Sequence, residues 1–305
     1  MRLPDGLLAS DLGPGWAAWR ARLPRLVDEV LGEWRLTPDG PLRSGLTALV
    51  VPVRDPADRP GALKLGWPHP ETEHEHLALR AWAGRGAVQL RRADPARSVL
   101  LLERAGELDL GSVPAVEACE VVGQLYGALH RPALPQLRRL SDLAQDWAER
   151  LGRIERHRLV PRRLVTQAIA HLEDLAVAPT TDGTLVHTDL HYDNVLASLR
   201  ENDLSGGGWL AIDPKPLSGD PAYEVAPLLW NRHAELRGSE LRTQIVDRFF
   251  AVVDTAGLDE ERARAWVVVR GMVNVLWAVE DADRGTLLDP AYVTRQTTVV
   301  KAMIP

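Results

Sequence analysis

The sequence predicts an α+β protein with two lobes, a smaller N-terminal lobe that contains a group of strands and a larger, mainly helical C-terminal lobe. Three observations lead to this prediction. The chain of 305 residues, 45% of them hydrophobic, is long enough to bury two sizeable cores. Short strand-like stretches cluster between residues 43 and 103. Beyond residue 111 the apolar residues recur mostly at helical spacing.

The lobe boundaries follow from the same patterns. Residues 1–103 form the predicted N-terminal lobe, residues 104–110 a polar, glycine-containing hinge, and residues 111–305 the C-terminal lobe. The N-terminal lobe opens with a helix, because tryptophan and aliphatic residues recur at helical spacing from Trp16 to Trp34. We see no internal repeat and no low-complexity segment in either lobe.

A strand and the helix after it are expected to bring two charged residues together in the N-terminal lobe. Lys64 lies in the strand-like stretch 61–66, where the leucines on either side of it face the opposite way. Residues 71–82 form a predicted amphipathic helix with Glu75 on the same face as Leu79. Only three of the 36 basic residues are lysines, at positions 64, 215 and 301, so each retained lysine invites a specific explanation. We therefore predict that Lys64 pairs with Glu75; the alternative is an exposed lysine on an edge strand.

The C-terminal lobe combines helices with two short buried strands. The predicted helices cover residues 113–130, 141–158, 161–176, 221–236, 239–256 and 259–282. The strands run through Val186 and Ile212, and a flexible hairpin loop at Gly206–Gly208 joins them. The only cysteine, Cys119, lies on the apolar stripe of the first helix, so we interpret it as a buried structural thiol.

The motif with the clearest chemistry follows these two strands. His187-Thr-Asp-Leu-His-Tyr-Asp-Asn194 has the H-x-D-x-x-x-x-N spacing, and Asp213 lies 24 residues after Asp189. Phosphoryl transfer needs a carboxylate that takes the acceptor proton, an amide ligand for Mg²⁺ and a second carboxylate that bridges the metal and the nucleotide. Asp189, Asn194 and Asp213 match these three parts. The alternative is that the acids are turn residues and His187 is a hydrogen-bonded core histidine.

The N-terminal lobe supplies candidates for the rest of a nucleotide site. The ammonium group of Lys64 suits the phosphates, as the strand lysine of kinases does. Ser44 and Gly45 lie in a turn where a phosphate-covering loop is expected, although an ordinary hairpin explains them equally well. Backbone groups from Glu103 to Ala105 are candidates for adenine binding, and a simple strand end is the alternative. No G-x-x-x-x-G-K-[ST] motif occurs, which excludes a P-loop enzyme.

The order of these features resembles the aminoglycoside phosphotransferase branch of the protein-kinase-like fold. The stretches 62–68, 80–86 and 211–227 are more specifically similar to the streptomycin 6-phosphotransferase and hydroxyurea phosphotransferase family, and the resemblance covers roughly residues 40 to 235. It implies an antiparallel sheet in the N-terminal lobe, with ATP and Mg²⁺ as cofactors. It also implies that Asp189 is the catalytic base, that Asn194 and Asp213 bind Mg²⁺, and that Lys64 binds phosphate.

The acceptor implied by the resemblance is an aminoglycoside-type antibiotic, with streptomycin as the leading candidate and hydroxyurea or a metabolic alcohol as the alternative. Asp220, Glu224 and Trp230 follow the second metal-site Asp, and acids and aromatics suit a cationic sugar. Lys215 either neutralises phosphate or holds the Asp-Pro turn. Trp277 and Glu280 either wall the pocket or belong to the core and a solvated helix end; the sequence leaves both questions open. No Ala-Pro-Glu segment occurs, which argues against a protein substrate.

Composition excludes several partners. A formal charge of −6 argues against nucleic acid as the main partner. No apolar run is long enough to span a membrane, and a single cysteine makes the cytoplasm the expected location.

Two other functional classes remain: a nucleotide-binding pseudokinase, which the complete set of site residues argues against, and a metal hydrolase that uses His187, Asp189 and His191. The sequence leaves the oligomeric state open.

Overall fold

The computed structural model describes residues 3–9, 12–200, 208–236 and 238–304. The chain divides into two compact units, residues 1–106 and residues 107–305. The division falls within the predicted hinge 104–110, just beyond the predicted end of the N-terminal lobe at residue 103. The assignment of residues 104–110 as a hinge stays a prediction. Gly206 and Gly207 of the predicted hairpin loop lie outside the described residues.

Unit 1 is built around a single antiparallel sheet. Its described helices and strands are α1 (Asp5–Ala9), α2 (Trp16–Trp34), β1 (Thr37–Pro38), β2 (Arg43–Ser44), β3 (Ala48–Arg54), β4 (Pro60–Gly66), α3 (Glu75–Trp82), β5 (Leu90–Asp94) and β6 (Val99–Glu103). The strand order is β1-β3-β4-β6-β5, and β2 also pairs with β3. This confirms the antiparallel sheet expected of the N-terminal lobe.

Strand β4 lies inside this sheet, between β3 and β6. Its residue Lys64 is opposite Val50 on one neighbour and Leu100 on the other, so the edge-strand alternative is wrong. Leu63 and Leu65 project from the other face of the sheet into a core that they share with α2. Burial of each such leucine contributes about 2 kcal/mol, which holds β4 in register and fixes the direction of Lys64.

Unit 2 is mainly helical, as predicted. Its described elements are α4 (Ala115–Leu129), β7 (Arg131–Pro132), α5 (Leu140–Ile154), α6 (Arg162–Val177), β8 (Thr184–Val186), β9 (Val195–Ala197), β10 (Trp209–Ala211), β11 (Leu217–Gly219), α7 (Ala226–Trp230), α8 (Leu241–Ala256), α9 (Glu260–Asp283) and α10 (Pro290–Met303). Helix α9 packs against α5, α6 and α10. Buried side chains along its whole length, from Ala263 to Val279, form the centre of this core.

Two small antiparallel sheets carry the loops of interest. Strands β9 and β10 pair with Val195 opposite Ala211. Strand β8 lies between β7 and β11, with Val186 opposite Leu217. His187 directly follows β8, and Asp213 closely follows β10. Each part of the sequence motif therefore begins at the end of a strand that is paired within its own small sheet.

One predicted helix is wrong in its extent. The sequence predicted a continuous helix over 221–236, but the structure has a 3₁₀ turn at Pro221–Val225 and then α7, which ends at Trp230. Asn231 is extended, and its side-chain amide donates to the carbonyl of Pro227, which closes the helix. Arg232 then takes a left-handed φ of 53°, which no continuous helix allows.

Helix α10 is an element that the sequence reasoning missed. Its start has a recognisable signal, because Asp289 accepts a hydrogen bond from the amide of Ala291 and Pro290 occupies the first turn. The helix at Glu75 also begins later than predicted, since residues 71–74 form a turn. Within the described residues, no helix is both long and apolar enough to span a membrane.

Candidate active site

The loop after β8 holds Asp189 through an unusual backbone conformation. Thr188 has a φ of 66°, in the left-handed region that β-branched residues rarely adopt. Its hydroxyl donates to the carbonyl of Lys215 at 2.7 Å, and its carbonyl accepts from the guanidinium of Arg270 at 2.9 Å. These contacts hold a strained residue in one conformation and so determine where the next residue, Asp189, projects.

His187 links the two halves of the motif through its ring. The amide of Asp189 donates to Nδ1 at 3.3 Å, so the proton is on Nε2, which donates to the carbonyl of Ile212 at 2.9 Å. Burial lowers the pKa of His187, which keeps the ring neutral and preserves this tautomer. His187 therefore serves as a structural connection between the loop after β8 and the end of β10.

Glu224 lies beneath the same loop and is completely buried. One carboxylate oxygen accepts the backbone amides of both His187 and Thr188 at 2.7 Å, and the other contacts Nε2 of His130 at 2.6 Å. Burial alone would raise the pKa of Glu224, but the hydrogen bond and charge of His130, helped by His187 and the Thr188 amide, outweigh it and leave that pKa lowered. Glu224 is thus a carboxylate that stabilises the loop from inside.

This geometry corrects the prediction that Glu224 binds the acceptor, because neither of its oxygens faces solvent. The same correction applies to Asp220, which is also buried. One oxygen of Asp220 caps the turn at Ala222, and the other accepts from the indole of Trp266 at 2.6 Å and from the guanidinium of Arg262. Asp220 therefore caps the 3₁₀ turn that follows it and does not face an acceptor.

Trp230 is half-buried, and its acceptor role stays a prediction. The guanidinium of Arg270 lies 5.3 Å from the centre of its ring and 4.2 Å from that of Tyr223. A cation of the protein thus already occupies the aromatic surroundings that were expected to attract a cationic sugar.

Asp189 and Lys215 form a partly exposed ion pair at this site. The ammonium of Lys215 lies 2.7 Å from the carboxylate of Asp189, and the two side chains are 31% and 26% exposed. The sequence reasoning left Lys215 undecided. No local pattern could have shown the contact, because the residues are 26 positions apart and meet only through the pairing of β8 with β11.

Asn194 and Asp213 provide hard oxygen donors next to that pair. The Asn194 side-chain nitrogen donates to the carbonyl of Asp189 at 2.8 Å, which orients its amide oxygen away from that carbonyl. The amide of Ile212 donates to the carbonyl of Asn194 at 2.9 Å, so Asp213 follows directly from a residue bonded to Asn194. An amide oxygen and a carboxylate suit Mg²⁺, which usually takes one or two protein oxygens and completes its shell with phosphate and water.

Unit 1 contains the other predicted pair. The ammonium of Lys64 lies 2.7 Å from both carboxylate oxygens of Glu75, and both side chains are buried. The predicted contact is therefore present, and Glu75 lies at the start of α3 as the residue that holds Lys64 in place. Binding of phosphate by Lys64 stays a prediction.

The remaining nucleotide candidates also lie in unit 1. Ser44 ends β2, and the amide of Gly45 donates to the carbonyl of Ala48 at 3.1 Å, which closes a hairpin turn. The amide of Glu103 donates to the carbonyl of Gln89 at 2.9 Å, so this amide already has a backbone partner. Ala105 is half-buried beyond the last strand. Adenine binding around Glu103 and Ala105 and phosphate covering by Ser44 and Gly45 stay predictions.

Trp277 and Glu280 lie on α9 and have partners on α5. The ring of Trp277 is 37% exposed and packs edge-on against Trp147. Both oxygens of Glu280 accept from the guanidinium of Arg150, at 2.9 and 2.5 Å. This carboxylate is therefore neutralised within the protein, which weakens its role as an acceptor contact.

The metal-hydrolase alternative receives no support from the geometry. Both ring nitrogens of His187 contact backbone groups. No cluster of three or more His, Cys, Asp or Glu residues that could hold a metal is present among the described residues. Cys119 is fully buried, and burial raises the pKa of its thiol to about 11, which agrees with a structural thiol.

A separate surface cavity of about 560 Å³ lies in unit 2 between α6, α8 and α10. It is lined by basic side chains, among them Arg163, Arg242 and Lys301. None of the predicted site residues lines it, so it provides no candidate acceptor pocket for this chemistry.

The chain matches known phosphotransferases in sequence and in fold. The profile of the family described as aminoglycoside/hydroxyurea antibiotic resistance kinase matches residues 33–282. A streptomycin 6-kinase of Streptomyces glaucescens is 38% identical over 96% of this chain and 95% of its own length. A hydroxyurea phosphotransferase of Kitasatospora aureofaciens is 40% identical over 93% of this chain and 82% of its own length.

Solved structures support the same fold at low sequence identity. A choline/ethanolamine kinase family protein from Mesorhizobium loti is 18% identical, with a TM-score of 0.62 over 92% of this chain and 95% of that protein. A spectinomycin phosphotransferase solved with ADP and spectinomycin is 11% identical, with a TM-score of 0.56 over 92% and 97% of the two chains. The expected kinase-like α+β fold is confirmed.

Proposed function

The chain belongs to the aminoglycoside/hydroxyurea antibiotic resistance kinase family, and on that basis we propose that it transfers the γ-phosphate of ATP to a hydroxyl group of streptomycin. The enzyme is a phosphotransferase with an alcohol group as acceptor. We further propose that the acceptor is the 6-hydroxyl, because two streptomycin 6-kinases, 38% and 39% identical, match over more than nine-tenths of this chain.

One observation carries the catalytic part of this proposal. The side-chain nitrogen of Asn194 bonds the backbone of Asp189, and the backbone of Asn194 bonds Ile212, directly before Asp213. The proposed base and the two proposed metal ligands are therefore connected by two hydrogen bonds. Catalysis of phosphoryl transfer depends mainly on positioning and charge, and such a connected set is what positioning requires.

The proposed roles follow from the chemistry of each side chain. Asp189 accepts the proton of the acceptor hydroxyl, a contribution of typically 10²- to 10⁴-fold for general-base catalysis. Asn194 and Asp213 would hold Mg²⁺ through their oxygens, and the metal when bound offsets negative charge on the phosphate oxygens. Lys64, held by Glu75, would bind the nucleotide phosphates as a compact ammonium.

The acceptor assignment rests on the relatives and not on the acids near the loop. Asp220, Glu224 and Glu280 are all engaged within the protein, so they offer no carboxylate to a guanidinium group of streptomycin. Hydroxyurea is the second candidate acceptor, because a hydroxyurea phosphotransferase is 40% identical to this chain. The two acceptors differ in charge, which makes them easy to separate by experiment.

The test is an ATP-consumption assay with streptomycin, hydroxyurea, a neutral small alcohol or no acceptor, followed by mass spectrometry of the product. We expect streptomycin to give the highest kcat/KM and a product heavier by one phosphoryl group. In Asp189→Asn, turnover should fall by at least ~10²-fold while ATP affinity, measured by calorimetry, stays within about twofold, because a general base acts on the hydroxyl. Faster turnover of hydroxyurea than of streptomycin would mean that hydroxyurea, and not streptomycin, is the acceptor. Near-normal turnover in Asp189→Asn would show that Asp189 is not the base.

A further inference from the structure

The backbone of Lys215 is held in place by two hydrogen bonds to the loop after β8. Its backbone amide donates to the carbonyl of His187 at 3.0 Å, and its carbonyl accepts from the hydroxyl of Thr188 at 2.7 Å. Pro214 and Pro216 lie on either side of it, and each fixes its own φ near −65°. The segment is thus a rigid support that directs one ammonium group towards Asp189.

Lysine is an uncommon basic residue in this chain. Only three of its 36 basic residues are lysines. An arginine would place a planar fork against the carboxylate and form a bidentate pair, the geometry that favours a permanent ion pair. A lysine instead provides a compact charge with rotatable donors on a flexible stem, so it can change partners during a reaction.

The distance between Lys215 and Asp189 defines what the ammonium can reach. An acceptor hydroxyl activated by Asp189 must lie within hydrogen-bond distance of its carboxylate, about 3 Å. The phosphoryl group that this hydroxyl attacks must approach to about 3–3.5 Å. Since the ammonium is 2.7 Å from the same carboxylate and partly exposed, the phosphoryl oxygens come within its reach.

We propose that Lys215 is a catalytic residue whose ammonium moves from Asp189 to an oxygen of the transferred phosphoryl group. This inference rests on the proposed kinase function and adds a residue to it. As the hydroxyl oxygen bonds to phosphorus and the bond to the leaving ADP oxygen breaks, the hydroxyl proton passes to Asp189. Protonation of Asp189 weakens its ion pair with Lys215, and the negative charge on the phosphoryl oxygens attracts the ammonium group. Removal of one donor that makes an electrostatic contact of this kind typically lowers the rate by about 10²- to 10³-fold.

The opposing interpretation is that Lys215 only braces the loop. Measurements of thermal unfolding and of nucleotide binding distinguish this structural role from a catalytic role of Lys215. Lys215→Met keeps most of the apolar stem without the charge, and Lys301→Met removes an exposed lysine on α10 as the matched control. We expect Lys215→Met to lower kcat by about 10²-fold, with the KM values for ATP and acceptor within about twofold of wild type and no loss of melting temperature. Lys301→Met should match wild type in all these respects.

The decisive measurement does not depend on turnover. Calorimetry compares the binding of Mg²⁺-ADP with that of Mg²⁺-ADP plus aluminium fluoride, a mimic of the phosphoryl group in transit. We expect Lys215→Met to bind ADP as wild type does but to lose at least about tenfold of the extra affinity that the fluoride confers. Lys215→Arg, which keeps the charge, should recover only part of it because of its planar geometry.

Two outcomes would overturn the inference. One is unchanged binding of the fluoride complex in Lys215→Met. The other is a parallel loss of melting temperature and of affinity for ADP itself, which would make Lys215 a brace. Neither result depends on the acceptor. A wild-type enzyme that shows the fluoride effect but phosphorylates no aminoglycoside would remove the acceptor assignment and leave the role of Lys215 intact.

Discussion

Asp189 owes its position to neighbours that are distant in sequence. The left-handed φ of Thr188 costs about 1–3 kcal/mol, which the surrounding contacts offset. Those contacts come from Glu224, the carbonyl of Lys215 and Arg270. In this conformation of Thr188 the carboxylate of the next residue contacts Lys215.

Metal binding gives the clearest prediction for a single residue. In Asp213→Ala the proposed carboxylate ligand is removed, so affinity for Mg²⁺-ATP should fall by more than tenfold, and removal of Mg²⁺ from wild type should have a similar effect. Asn194→Ala should weaken binding less, because it removes a neutral ligand. Calorimetry with and without Mg²⁺ measures both. The exposed Asp193, next to Asn194, is the control position, and Asp193→Ala should bind as wild type does. Unchanged affinity in Asp213→Ala would contradict the assignment of this site.

Glu224 gives a prediction that depends on pH. Its folded pKa is lowered, so its charged contacts stabilise the fold above its ordinary value of 4.5, and that contribution is lost as the pH falls from there through the folded pKa. Glu224→Gln should therefore reduce the free energy of unfolding by about 3 kcal/mol at neutral pH, since it breaks a buried charged network.

The pH series is measured by urea unfolding of wild type and variant. The difference between them should shrink as the pH falls below about 4.5. Glu149→Gln, at an exposed position on α5, is the control and should change stability by less than about 0.5 kcal/mol at every pH. A difference that does not change with pH would mean that the carboxylate charge is not what stabilises the loop.

At the level of secondary structure, glycines show where helices pack closely. A Cβ on Gly123 of α4 would lie 2.8 Å from Cβ of Thr255 and 3.1 Å from the carbonyl of Val252, both on α8. A Cβ on Gly127 of the same helix would meet nothing within 4 Å. The two glycines lie four residues apart on the same helix, but only Gly123 is in close contact with α8.

This contrast predicts opposite effects of the same substitution. Gly123→Ala should lower the free energy of unfolding by about 1–3 kcal/mol, because α4 and α8 must move apart. Gly127→Ala should raise it by about 0.5–1 kcal/mol, since alanine favours an exposed helix. Thermal and urea unfolding measure both variants. If both changes stabilised the protein equally, the close contact between α4 and α8 would be wrong.

Local sequence patterns accounted for most of the helices, but not for α10 and not for every side-chain role. The spacing of the octet and the strand-to-helix transition around Lys64 are local, and they placed Asp189, Asn194 and Glu75 correctly within their elements. The charged partners of these acids are far away in the sequence: Arg262 is 42 residues from Asp220, and His130 is 94 residues from Glu224. No local pattern records such contacts, so exposed and buried acids looked alike in the sequence.

On the scale of the whole molecule, net charge hides which acids are already paired. The chain has a formal charge of −6, yet Asp220 and Glu224, near the loop after β8, pair with arginine, histidine or backbone amides. Net charge counts paired and unpaired acids equally, so it does not show which acids are available to an acceptor. Recognition of the proposed cationic acceptor would need groups other than Asp220, Glu224 and Glu280.

Because the chain has only three lysines, chemical modification of lysine can report on the surroundings of each one. An amine-acylating reagent can modify only three side chains, and their surroundings differ: Lys301 is exposed, the side chain of Lys215 is 31% exposed, and that of Lys64 is 9% exposed. Peptide mass spectrometry should therefore find acylation fastest at Lys301, slower at Lys215 and slowest at Lys64. Added Mg²⁺-ATP should protect the last two and leave Lys301 unaffected. Equal labelling rates at Lys64 and Lys301 would show that the buried ion pair of unit 1 opens readily in solution.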